Sequence, residues 1–303
     1  MPSEIIPRSY EPHMKFLPYE LPYMTDDLRK RAKAELFEDE DTRVHSLKLM
    51  RTMLKDEKNL VFLDDDDFLL TFLRARKFDV KKSFNLFKTF YHVKAKHYEL
   101  YDNYDFEDCK SVYKDGLVGF LPYRDEEGCV ILIIKTTNWD PCKHSMGDIM
   151  RATTTALLHA VHSPSTQVAG FKVIVDFKGF SYAQTMALSP TYLWLFAEAL
   201  QNCFPARFRA VHIVNEGLPF KYIWGILRQF LTKKLKDRFQ FHSKNVNGLH
   251  KYFAPSILSA DFNGDLPPFD TVINQWIKKA EQMKDHLTYL HSFGYKKSRK
   301  AST

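Results

Sequence analysis

The strongest constraint in this 303-residue chain is a pattern repeated through its second half: short, almost continuously apolar runs separated by helical stretches. "CVILIIK" (129–135), "FKVIVDF" (171–177) and "FRAVHIV" (208–214) lack the alternation of a strand with one wet face. They predict strands covered on both faces, and "RFQFH" (238–242) predicts a fourth. Helical patterns lie between them, near 145–162, 190–202 and 219–231. Strands alternating with helices in this way imply an α/β fold, with a mostly parallel sheet covered by helices.

The first half keeps a different rhythm. Val44, Leu47, Met50 and Leu54 form one helical stripe, and Val80, Phe84, Phe87 and Tyr91 form another, with Asp79 placed to cap its helix. The expected organisation is an arm over 1–24, an all-helical domain over 25–110, the α/β domain over 111–270, and a C-terminal helix with a basic tail over 271–303. The polar end "YKKSRKAST" is expected to fray.

Composition narrows the function. Hydrophobic residues make up 45% and aromatics 15%, enough to bury a real core. Cys109, Cys129, Cys142 and Cys203 form no CxxC pair, so reduced thiols in a cytosolic protein are expected. The N-terminus has no apolar stretch of a secretory signal, and no run approaches a bilayer span, so any membrane contact is expected to be peripheral. A formal charge of +7 biases the chain toward anions. Aromatics interleaved with basic residues in a nucleic-acid module are not evident, and no nucleic-acid partner is expected.

The segment "LPFKYIWGILRQFLTKKLKDRF" (218–239) raises a sharper possibility. Placed at about 100° per residue, its apolar side chains sweep roughly 200° of helix surface, twice what one packing face needs. One reading is a helix wedged between the sheet and another element. The other is a lid, with one edge of the stripe closing an apolar cavity and the other entering a membrane interface. The basic run Lys233, Lys234, Lys236 and Arg238 suits the lid, since such residues attract an anionic surface. A solvated charged face is the plainer alternative.

"FLLTFLRARKFDVKKSFNLF" (68–87), "VIVDFKGFS" (173–181) and "FPARFRAVHIVNEGLPF" (204–220) followed by "FLTKKLKDRF" (230–239) together resemble the CRAL-TRIO lipid-transfer family. The likeness runs from about residue 25 to 285. It is greatest to the branch of α-tocopherol transfer, cellular retinaldehyde-binding and clavesin proteins. The resemblance implies a helical domain packed on an α/β lipid-binding domain, whose sheet floors a cavity closed by a mobile helical gate. Phe220, Ile223, Trp224 and Leu227 fall at the gate. It also implies a phosphoinositide headgroup site outside the gate at Arg76, Arg207, Arg209, Lys234 and Arg238, while Arg74 is expected to serve as an interdomain salt-bridge partner.

For the cavity wall the resemblance points to Met150, Thr153, Thr154, Leu157, Phe180, Leu188, Phe196, Leu200, Phe204, Phe208 and Val211, together with Ile223, Ile226 and Leu227. The triple threonine at 153–155 offers hydroxyls either to a cargo or to the helix's own carbonyls. Bulky Met150 and Leu157 imply a pocket shaped differently from that of a tocopherol binder. The expected protein is a monomeric, non-enzymatic carrier of a single tocopherol-, retinoid- or isoprenoid-like lipid, needing no cofactor or metal. It would visit endosomal or other phosphoinositide-bearing membranes. A carrier must enclose its cargo, because exposing a chain of about 15 carbons costs on the order of 12 kcal/mol.

Two rivals remain. The protein could be a phosphoinositide-binding trafficking module that carries nothing. Alternatively "GFSYA" (179–183) could be a hydrolase elbow with Ser181 as nucleophile, although Ala183 stands where the second glycine belongs, and Asp237 with His242 or His250 would complete a triad. His159 and His162 lack a nearby third metal ligand in sequence.

Overall fold

Two acidic runs, "EDED" (38–41) and "DDDD" (64–67), open helices. In the computed structural model, which describes residues 16–101 and 104–296, Thr25 caps α1 (Asp26–Arg31) and Asp39 caps α2 (Glu40–Leu54). After the two-residue strand β1 (Leu60–Val61), Asp65 caps α3 (Asp66–Ala75) and Asp79 caps α4 (Val80–Lys96). Each capping side chain accepts a backbone N–H of the first turn, and in α1, α2 and α3 the carboxylates that follow face the positive end of the helix dipole. That is why "EDED" and "DDDD" sit where they do.

Leu47, Met50 and Leu54 of α2, Phe72 and Leu73 of α3, and Phe87 and Tyr91 of α4 bury together as the helical core. Val44 is a correction: it is exposed. Six residues before Met50, it lies roughly 120° round the helix from that residue, at the margin of the stripe.

α1 is prolonged by a π-helical turn (Ala32–Leu36) that stops at Phe37, in the left-handed region at φ 61°. Arg74, buried on α3, makes an ion pair with Glu38 just after this stop and donates to Gln167 Oε1 at 2.5 Å. The salt bridge therefore stays within the helical domain, and the link to the α/β domain is a hydrogen bond.

Helices α5 (Tyr98–Tyr101) and α6 (Phe106–Lys114) lead to the sheet. Its strands are β2 (Val118–Phe120), β3 (Val130–Lys135), β4 (Phe171–Asp176), β5 (Phe208–Val214) and β6 (Phe239–Phe241), adjacent in that order. β2 runs antiparallel to β3 and the others are parallel. Three-residue β2, with a central glycine, is the strand that the sequence pattern did not reveal. β3 and β4 are buried nearly throughout, as their unbroken apolar runs require.

The crossovers carry α7 (Met146–Val161) and α8 (Pro164–Ala169), then α9 (Tyr182–Ala187) and α10 (Pro190–Glu198) with a second π turn (Ala199–Cys203), then α11 (Leu218–Phe230) and α12 (Lys233–Lys236). α13 (Phe269–Gln282) and α14 (Lys284–Ser292) follow, and β7 (Gly294–Tyr295) returns to pair with β1. The arm's first 15 residues and most of the basic tail lie outside the described residues.

Candidate functional site

On one side of the sheet lies a cavity of about 150 Å³ with an almost wholly carbon lining. Its floor follows from the strand period of two and the parallel register. Leu132 and Ile134 of β3 stand beside Val173 and Val175 of β4, and Phe208 and Ile213 of β5 continue the row. Met150, Thr153, Thr154 and Leu157 of α7 form one wall, and Phe180, Leu188, Phe196, Leu200 and Phe204 form the other. Two nominated residues do not reach the void. Val211 shares the floor's face, in register with Val173, but is fully buried and does not line the void. Ile226 turns outward and is 38% exposed. The floor residues of β3 and β4 were missed in sequence, although alternate positions of a buried strand mark them.

α11 divides its wide apolar surface between two environments. Phe220, Ile223 and Leu227 are buried and roof the cavity. Tyr222, Ile226 and Phe230, four residues apart in turn, face outward beside exposed Leu218, and Tyr182 and Met186 of α9 are exposed as well. Trp224 does neither: it packs on Phe239 and Phe241 of β6 and so ties the roof to the sheet edge. α11 is flanked by Gly217 and Leu231, both extended, and a Cβ at Gly225 would meet nothing within 4 Å.

The three threonines have three different fates. Thr153 donates back to the Ile149 carbonyl at 2.7 Å, and Thr155 is buried and bonded to His291 Nε2 at 3.0 Å. Thr154 lines the cavity, and its hydroxyl makes no hydrogen bond among the described residues. Lys135, which reaches the wall at the end of β3, is held by Asp261 at 2.8 Å and Asp270 at 3.4 Å.

Most of the nominated basic residues already have partners. Arg207 and Arg209 bond the carbonyls of Val168 and Ala169, and both also reach Glu35 Oε2, at 2.7 and 2.8 Å. Arg238 donates to the Phe208 carbonyl at 2.6 Å, and Arg76 to that of Gln201 at 2.9 Å. Burial, and then repulsion from Arg209, lowers the pKa of both Arg207 and Arg238, which marks cations crowded together. Lys234 is exposed on α12. Glu35 was missed, and a lone carboxylate within "RKRAKAELF" is a weak sequence signal for it.

The nominated hydrolase triad is not assembled. The Ser181 hydroxyl caps α9 by accepting the Gln184 amide, while His242 is bonded to His212 at 3.0 Å and His250 to the Phe262 carbonyl. His159 is paired with Glu20. No helix of the described residues is long and apolar enough to cross a membrane.

A helical domain set against a mostly parallel sheet, with an apolar cavity under a helical roof, agrees with what sequence comparison finds. The CRAL/TRIO domain matches residues 114–264 and the CRAL/TRIO N-terminal domain matches residues 27–89, so the chain belongs to the CRAL-TRIO family of lipid-binding and transfer proteins. Among individual relatives it is similar to Clavesin-2 of Homo sapiens, 34% identical over 266 residues that span 87% of this chain and 80% of that protein. It is equally similar to Clavesin-1 of Rattus norvegicus, 34% identical over 274 residues, 89% of this chain and 77% of that one. The crystal structure of Sfh5 shares the fold, with a TM-score of 0.52 at 10% identity, covering 82% of this chain and 99% of that one.

Proposed function

We propose that this protein is a non-enzymatic carrier that encloses one hydrophobic lipid in the cavity and exchanges it at membranes displaying phosphoinositides. The observation that carries the reading is the division of α11: three apolar side chains roof the void while three more face outward beside a lysine-rich turn. A lid with two apolar edges opens at little cost only where a second apolar phase waits. Lysines 233, 234 and 236 bring it to an anionic surface, each contributing on the order of 1 kcal/mol. Arg207, Arg209 and Arg238, with Arg76 at the rim, supply the headgroup ligands in this reading. Thr154 is the wall group available to a cargo's hydroxyl or carbonyl, and the cargo in this reading is tocopherol-, retinoid- or similar isoprenoid-like, which a void of about 150 Å³ admits only once the roof shifts.

Native mass spectrometry of the purified protein, with organic extraction of whatever co-purifies, tests the carrier. A stoichiometric hydrophobic ligand is expected, and a chain that stays empty after incubation with mixed lipid vesicles sinks the reading. Lys234→Glu tests the docking side: vesicle binding and lipid transfer between vesicles should fall together, and unchanged values for both would remove the membrane step.

A further inference from the structure

Between α4, α7, the second π turn and α14 lies a smaller void of about 40 Å³. It has Thr154, Ala199 and Phe204 in common with the main cavity, so these three side chains form a shared wall. Room for it comes from the π turn Ala199–Cys203, whose first and last residues are small and both line the void. Turns of this kind recur at functional sites. The Phe204 ring stands between the two spaces, against Phe90 of the smaller at 6.2 Å and Phe208 of the larger at 6.5 Å.

The two voids differ in chemistry. In the larger, Lys135 is paired with two carboxylates and Thr153 is bonded to its own helix. The smaller adds a second cation, because Lys94 of α4 lines it and is steadied there by donating to the carbonyls of His291 and Phe293. Its charge is felt within: after burial, Lys94 is the first influence holding His291, on the same wall, at a pKa of about 3. On the shared wall, the Thr154 hydroxyl makes no hydrogen bond among the described residues. One water takes about 10 to 15 Å³ of such space, so the void admits about three non-hydrogen atoms. A carboxylate has that size. It also offers two acceptor oxygens, and hydrogen bonds to a charged acceptor are about twice as strong as neutral ones. Burying such a charge is tolerable only beside a cation. A phospholipid headgroup is several times too large.

We propose that the smaller void is a head pocket, taking the terminal carboxylate of a long-chain isoprenoid acid between Thr154 and Lys94, with Phe204 swung aside and the chain lying in the main cavity. The inference rests on the carrier reading and adds the chemical class of the cargo.

The test titrates the full chain with farnesoic acid, its methyl ester and farnesol, read by native mass spectrometry. The three share one carbon skeleton and differ at the head. The acid is expected to bind more tightly than the ester by about tenfold or more. Thr154→Val, which keeps the shape and loses the hydroxyl, and Lys94→Met, which keeps the stem and loses the charge, should each lower that preference several-fold. Cys203→Leu, which fills the void, should abolish it. Should Lys94→Met fail to fold, Thr154→Val and Cys203→Leu carry the test. Equal binding of all three ligands by the wild type overturns the head pocket and leaves the carrier intact, as does an acid preference that survives both Thr154→Val and Cys203→Leu. Loss of the preference in Lys135→Met but not in Lys94→Met would seat the carboxylate at the other lysine and also overturn the proposal. If none of the three binds to a chain that loads another lipid from mixed vesicles, the cargo class is wrong. If that chain stays empty with vesicles too, the carrier reading falls with it.

Discussion

Two buried histidines make the stability of this protein sensitive to mild acid. His212 is fully buried on β5, bonded to His242 and packed on Phe253, and burial, then His242 and Lys172, push its pKa to about 3. His291 stacks on Tyr104 at 3.9 Å, and burial, then Lys94 and Arg151, bring it also to about 3. Both stay neutral in the folded chain, whereas in the unfolded chain they take up protons below about 6.5. Their contribution is therefore fully present above that pH and is lost between about 6.5 and 3. Each unmatched proton contributes a slope of about 1.4 kcal/mol per pH unit. Urea unfolding at pH 7.5, 6 and 5 should show a flat region and then a steep fall. His291→Gln should shallow the fall, and equal slopes in both proteins would contradict the assignment. Partners like these are what sequence could not supply. The triple threonine was visible as a cluster, but its three fates depend on a histidine 136 residues away and on which side of α7 meets the void. Glu35 meets Arg207 across 172 residues.

At the scale of elements, what was legible is what local hydrophobic pattern decides: the four main strands, the crossover helices and the two-edged surface of α11. The missing pieces are short or irregular. β2 has three residues, and the skipped Arg209 in β5 breaks a period that only pairing reveals. The ends of α11 were equally hidden, since Gly217 and Leu231 acquire meaning from their extended backbones. Those ends predict that the roof swings as a unit. Gly225→Ala should then raise helix stability by about 1 kcal/mol, seen as a melting temperature higher by about 2 °C, with the lipid transfer rate unchanged. Slower transfer would mean that the helix unwinds to open.

For the molecule as a whole, the crossover through α11 and α12 leaves one strand and returns to its immediate neighbour, so along the chain the roof is joined to the floor at one side only. Trp224 fastens it to that same side. Trypsin acting at exposed Lys233 or Lys234 should yield two bands on a denaturing gel but a single peak, at the size of the uncut protein, on gel filtration. Two separated fragments would show that the segment braces the sheet. The shape of the container should thus survive severing its cover, and in the carrier reading the cut is expected to cost it the power to keep a passenger, so that holding a shape and holding a cargo become separate properties of the one fold.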